Sequence, residues 1–183
     1  MMNKRKKVVI LTGNELRHRY FRKKMGLDKR FIVSSSFCED DSRSLKNTTY
    51  NNENSTWIEN KHVESREQSE IDFFKDFDFF STDLSNPVLI KKGDINSSEV
   101  VSAIEAIDPE LILCYGSSLI KSSLLKKYHH RFINVHLGIS PFYRGSGTNI
   151  YPFINQELDM VGATFMYIDE GIDTGEIIHQ IQA

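Results

Sequence analysis

Two uninterrupted apolar runs, Val8-Val9-Ile10-Leu11 and Leu111-Ile112-Leu113-Cys114-Tyr115, constrain the fold more than any other feature of the chain. A strand with one face in water alternates apolar and polar residues, whereas a strand apolar at every position is covered on both faces. Each run stops at a glycine, Gly13 or Gly116, and a helical stretch follows each. The first helix reads from Glu15 to about Lys24 and carries Arg17, His18, Arg19, Arg22, Lys23 and Lys24. The later one turns Leu119, Ile120, Leu124 and Leu125 inward and places Lys126 and Lys127 at its negative end. Between them, Asn96 and Glu99 form a capping-box pattern ahead of Val100, Val101, Ile104 and Ile107, and Pro109 stops that helix. Further strands read over Phe31 to Ser34, Val88 to Ile90, Phe132 to His136, Gly162 to Ile168 and Glu176 to Ile181. Thr148 to Asn155 reads as a helix broken at Pro152. This alternation predicts an α/β fold: a Rossmann-like, mostly parallel twisted sheet with helices on both faces.

The stretch 39–70 departs from the pattern, because its only apolar residues are Leu45, Tyr50, Trp57, Ile58 and Val63. It reads as a polar insertion, disordered in part and packed at the Trp57-Ile58 end. Phe73, Phe74, Phe77 and Phe80 then share a helical face and read as core. The 183 residues suit a single domain over 1–183. The last strand has no helix after it to cover its edge, a pattern that also fits a chain truncated at its C terminus.

A net charge of −2 gives no overall field towards nucleic acid, and Lys4-Arg5-Lys6-Lys7 reads as a solvated end. Cys38 and Cys114 suggest no disulfide framework, and Cys114 reads as a small buried hydrophobe. The six histidines show no metal-ligand spacing. No run is long enough for a signal peptide or a membrane span, so the expected location is cytoplasmic, without membrane contact. The turn after the first strand lacks the spaced glycines of a dinucleotide site. It can instead hold an anionic part of a substrate, with Gly13, Asn14, Arg17 and His18 as the candidates. Most of the basic residues on the following helix read as a solvated face.

The chemistry concentrates in Phe132 to Gly147, where a short strand runs into a loop containing Gly138, Pro141, Gly145 and Gly147. Asn134 and His136 are two apart and leave one face of the strand. A carboxamide there can donate to a developing oxyanion, and an imidazole can carry a proton near neutral pH. Asp173, in Ile172-Asp173-Thr174-Gly175, is the candidate to orient that imidazole. Asn-x-His alone is a common pair; the ordered set Asn134, His136, Pro141, Arg144-Gly145 and Asp173-Thr174-Gly175-Glu176 is far more specific.

That set, from about Pro109 to Ile178, resembles the formyltetrahydrofolate-dependent formyltransferases: methionyl-tRNA formyltransferase, glycinamide ribonucleotide formyltransferase and the sugar N-formyltransferases. The family pattern Asn-x-His-x-x-x-x-Pro falls on Asn134, His136 and Pro141, and its catalytic aspartate on Asp173. The usual Ser-Leu-Leu-Pro reads Gly138-Ile139-Ser140-Pro141 here. The resemblance implies 10-formyltetrahydrofolate as formyl donor, with no metal. Its pterin would lie between Ser117, Ser118, Leu119 and Ile120 on one side and Ile168 and Asp169 on the other. Arg144 would contact the acceptor or brace its loop. The implied activity is N-formylation of a small-molecule primary amine. An amino sugar or nucleotide-linked amino sugar is reached by elimination: tRNA is not expected, because no further C-terminal domain follows, and the glycine-rich phosphate loop of the ribonucleotide enzyme is missing. A homo-oligomer is compatible with the sequence.

The alternatives are a formyltetrahydrofolate hydrolase and a truncated or non-catalytic folate-binding domain. Asp173-Thr174-Gly175 also matches the aspartic-protease triplet, but it occurs once, is followed by charged Glu176, and would leave Asn134 and His136 without a role.

Overall fold

A computed structural model describes residues 4–42, 47, 49 and 51–183. Residues 43–46, 48 and 50, with Leu45 and Tyr50, lie outside the described residues, and so does any disorder expected of them. Among the described residues, seven strands form one sheet: β1 (Lys6–Thr12), β2 (Phe31–Glu39), β3 (Pro87–Ile90), β4 (Leu111–Tyr115), β5 (Phe132–His136), β6 (Gly162–Tyr167) and β7 (Ile177–Gln182). Their order is β3-β2-β1-β4-β5-β6-β7. The first five are parallel, and β6 and β7 are antiparallel additions. The helices are α1 (Leu16–Leu27), α2 (Trp57–Phe80), α3 (Ser98–Ile107), α4 (Ser122–Lys127) and α5 (Tyr151–Ile154).

The two apolar runs occupy the middle of the sheet, where both faces are covered. Val8 to Leu11 are 0% exposed. Their side chains alternate between two cores. Val9, Leu11, Ile112, Cys114 and Phe132 pack with Ile104 of α3 and Leu124 and Leu125 of α4. Val8, Ile10, Val33 and Leu113 pack with Phe21 and Met25 of α1 on the other face. The chain leaves β1 towards β2 and returns on its other side at β4. The crevice at the carboxyl ends of β1 and β4 is therefore the switch point of the sheet, where ligands sit in such folds.

Several expectations are corrected. The polar insertion is a helix over most of its described length. Thr56 accepts from the Glu59 amide while the Glu59 carboxylate accepts from the Thr56 amide, which closes a capping box at the start of α2. Trp57 and Ile58 are 77% and 71% exposed, so that end does not pack; Val63 does. Of the four phenylalanines expected in the core, Phe74 and Phe77 pack on Tyr20 of α1, whereas Phe73 and Phe80 stand in solvent. A helix lying on another helix buries only a narrow stripe, and this stripe admits two of the four.

The basic face of α1 is not solvated either. Arg22 and Lys23 are buried and pair with Asp83 at 3.2 Å and Asp78 at 2.9 Å, and Arg19 also reaches Asp78. At α3 the cap is Ser97, whose hydroxyl accepts from the Val100 amide, and Asn96 is released for other bonds. Leu119 is exposed rather than inward, because α4 starts only at Ser122.

Candidate active site

The sheet's strand ends build the site. β5 carries Asn134 and His136 on one face, opposite Met166 and Thr164 of β6. The β6–β7 connection turns back over them. Asp169 makes that turn by accepting from the Gly171 amide at 2.9 Å and from the Thr174 hydroxyl at 2.7 Å. Asp173 has a left-handed φ of +50°, and its carboxylate meets β5 across 39 positions of sequence.

Asp173 is the hub. One oxygen accepts from Asn134 Nδ2 at 3.0 Å. The other accepts from the Gly145 amide at 2.9 Å and lies 3.3 Å from His136 Nδ1. His136 Nε2 donates to the Tyr143 carbonyl at 2.9 Å. Both ring nitrogens thus face oxygen acceptors. His136 and Asp173 side chains are only 6% and 13% exposed. Asn134 Nδ2 has a second hydrogen beyond the one Asp173 takes, and that hydrogen is available to a ligand.

The loop after β5 is fitted to the ring. It contains a cis Ser140-Pro141 bond. A side chain at Gly138 would put its Cβ 2.7 Å from His136 Nε2 and 2.7 Å from Thr148 Cβ, so only glycine passes there.

Asn134, His136 and Asp173 line one cavity of about 910 Å³, within the size range of ligand pockets. Its floor includes Ser117, Ser118, Leu119 and Ile120 on one side and Ile168 and Asp169 on the other, the six positions the resemblance implied for the pterin. Arg17 and His18 also line it. Gly13, Asn14 and Arg144 do not. Gly13 gives up its side-chain space to the His18 ring, Asn14 accepts from Arg22 and faces a smaller cavity, and Arg144 is exposed.

His18 is wedged between two turns. A Cβ on Gly116, whose φ is +66°, would sit 2.4 Å from its Nε2. Its Nδ1 accepts from the Glu15 amide at 3.2 Å, which leaves the proton on Nε2. Burial and then the positive charge of Arg17 hold its pKa well below the ordinary 6.5, so the ring stays a neutral donor.

Sequence reading missed the opposite wall. His62, Arg66 and Glu70 of α2, four apart, face the same cavity. Glu70 takes the Arg17 guanidinium and lies 3.6 Å from Arg66 Nε, and Arg17 also pairs with Glu15. His62 Nε2 is buried without a partner among the described residues. The fourfold spacing was present in the sequence, but a stretch read as loop has no face to assign it to.

No helix among the described residues is long and apolar enough to cross a membrane. A trio at the strand ends that lines one large cavity near the switch point marks the ligand site of an α/β domain. Comparison with known proteins makes that specific: the formyl transferase family model matches residues 6–183, and the chain belongs to that family. Methionyl-tRNA formyltransferase of Finegoldia magna is 32% identical over 92 residues, which are 49% of this chain and 29% of that protein. The matched stretch therefore spans less than a third of that relative's length. Among solved structures, phosphoribosylglycinamide formyltransferase from Anaplasma phagocytophilum superposes with a TM-score of 0.64 at 15% identity, over 98% of this chain and 74% of that one. A formyltetrahydrofolate deformylase from Pseudomonas syringae pv. tomato gives 0.61 at 14% identity, over 98% and 51%. Both show the same fold.

Proposed function

We propose that this chain transfers a formyl group from 10-formyltetrahydrofolate to a primary amine. The observation that carries this is the meeting of Asn134, His136 and Asp173 beside one large cavity. When the amine attacks the formyl carbon, a C–N bond forms and the carbonyl oxygen gains charge. The free N–H of Asn134 donates to that oxygen. For His136 to join it, Nε2 must leave the Tyr143 carbonyl, and such catalytic bonds commonly rearrange when substrate enters. The attacking nitrogen loses a proton, and the bond to the folate nitrogen breaks as that nitrogen gains one. Asp173, within reach of both Asn134 and His136, takes part in that proton transfer through water. The donor's heterocycle is received by the segment Ser117 to Ile120 and the turn Ile168-Asp169. Family membership supports a folate donor, and no metal enters the scheme.

The acceptor end is the wall of Arg17, His18, His62, Arg66 and Glu70. Its guanidinium groups are already matched by carboxylates, and it offers donors and acceptors together. That lining suits a hydroxyl-bearing amine such as an amino sugar, free or nucleotide-linked. The expectation that tRNA is not an acceptor is withdrawn, since the aligned relative is named for methionyl-tRNA. The test is a mass-spectrometric screen of amino sugars, nucleotide sugars and methionyl-tRNA with 10-formyltetrahydrofolate. One of them gains the mass of a formyl group. Formate release at the same rate with and without amine would identify a hydrolase instead and end the transfer reading.

A further inference from the structure

Glu39, the last residue of β2, lies outside the catalytic trio, yet it is 0% exposed and both of its carboxylate oxygens are hydrogen-bonded. One carboxylate oxygen accepts from Lys92 Nζ at 2.8 Å and from the Ser118 amide at 2.7 Å. The other accepts from the Gly93 amide at 2.8 Å. A carboxylate out of water is costly unless its charge is paired and its oxygens are hydrogen-bonded, and here Lys92 and two backbone amides meet it. The Ser118 bond joins positions 79 apart and reaches the segment that floors the large cavity. A second side chain grips the same segment: Asn96 donates to the Leu119 carbonyl at 2.9 Å and accepts from the Lys121 amide at 2.8 Å.

These bonds have a selective effect. They occupy the Ser118 amide, the Leu119 carbonyl and the Lys121 amide. The amides of Leu119 and Ile120 keep no partner among the described residues, in a segment that lines the cavity. The segment has no regular structure of its own before Ser122. Without outside anchors its conformational freedom would have to be lost on binding, which weakens affinity.

We propose that Glu39, with Asn96, is a positioning residue for folate binding: it fixes the backbone of Ser117 to Lys121 so that the unpaired amides of Leu119 and Ile120 stand ready for the donor's heterocycle. This rests on the folate reading of the cavity given above. Two measurements on the wild-type chain, Glu39→Gln and Asn96→Ala test it. Calorimetric titration with 5-formyltetrahydrofolate, a stable analogue, shows at least tenfold weaker binding in both variants. Residue-resolved amide exchange shows Leu119 to Lys121 exchanging faster in both, with the β1 and β4 amides unchanged. A merely structural role would speed exchange through the sheet as well. Affinity within twofold of wild type in both variants, with unchanged exchange in the segment, overturns the proposal. Should Glu39→Gln fail to fold, Asn96→Ala decides, since its loss leaves no charge unpaired. A wild-type chain that binds no analogue would overturn the folate reading instead, and the exchange comparison would still decide whether these two side chains hold the loop.

Discussion

The two walls of the cavity are built on different physics. The strand wall hangs on β5 and on the turn after β6, where sheet register fixes Asn134 and His136, and Asp173 ties three groups within 3.3 Å. The helical wall hangs on α1 and α2, and its order comes from side-chain pairs among Arg17, Glu15, Glu70 and Arg66. Register places atoms to a fraction of an ångström, as bond making requires. Paired long side chains hold a charge pattern but yield to different ligands, as the acceptor choice proposed for this wall requires. Damage to the first wall should therefore lower turnover, and damage to the second should raise the acceptor KM.

The largest expected effect is at the trio. Asn134→Ala removes an oxyanion donor and costs about 3–4 kcal/mol of barrier, a hundredfold or more in kcat. His136→Ala falls in the same range, and both variants keep the wild-type circular dichroism spectrum. Near wild-type turnover in either would remove the assignment. Next comes Gly138→Ala, which touches no substrate but drives a methyl group towards His136 Nε2. Displacing the ring by about 1 Å is enough for a loss on the order of a hundredfold. The readout is kcat, and no loss would mean that the ring position is immaterial.

On the helical wall, Arg66→Ala removes a charged donor that the proposed acceptor would use, worth about 1.5–3 kcal/mol, a tenfold or greater rise in the acceptor KM. The folate KM stays unchanged. Equal changes in both would break the division between the walls. The smallest effect concerns His18, whose pKa burial and Arg17 hold well below 6.5. The unfolded chain takes up a proton near 6.5 while the folded chain does not. Stability is therefore full above that value and falls as pH drops below it, by at most about 1.4 kcal/mol per pH unit. Denaturant titrations between neutral and mildly acid pH show this slope, and His18→Gln flattens it.

On the strand wall, Asn134 and His136 were legible because their signal is local, whereas Asp173, 39 positions further on, was reached only through the ordered set that carries the resemblance. A period of two puts Asn134 and His136 on one face, and uninterrupted apolar runs mark β1 and β4 as central. Arg17 and His18 of α1 were read as candidates and do line the cavity, but the α2 part of the helical wall was not legible. Its residues lie where apolar periodicity is absent, and, besides the contacts of Tyr20 with Phe74 and Phe77, α2 is tied to α1 by the ion pairs of Arg19 and Lys23 with Asp78. Hydrophobic pattern carries no information about such contacts. The capping residues Thr56 and Glu59 did announce a helix, and the low apolar content around them obscured it. Phe73 and Phe80 failed as core for the converse reason, since helical spacing defines a face without saying what lies against it.

The most direct test follows the transferred carbon itself. 10-Formyltetrahydrofolate labelled with carbon-13 in the formyl group is mixed with an acceptor amine from the screen, and the label is traced by NMR. The account predicts label in the N-formyl product with wild-type protein, and none above background with Asn134→Ala, His136→Ala or Asp173→Asn. Label appearing as free formate at a rate indifferent to the amine, or equal product from the three variants, would contradict it.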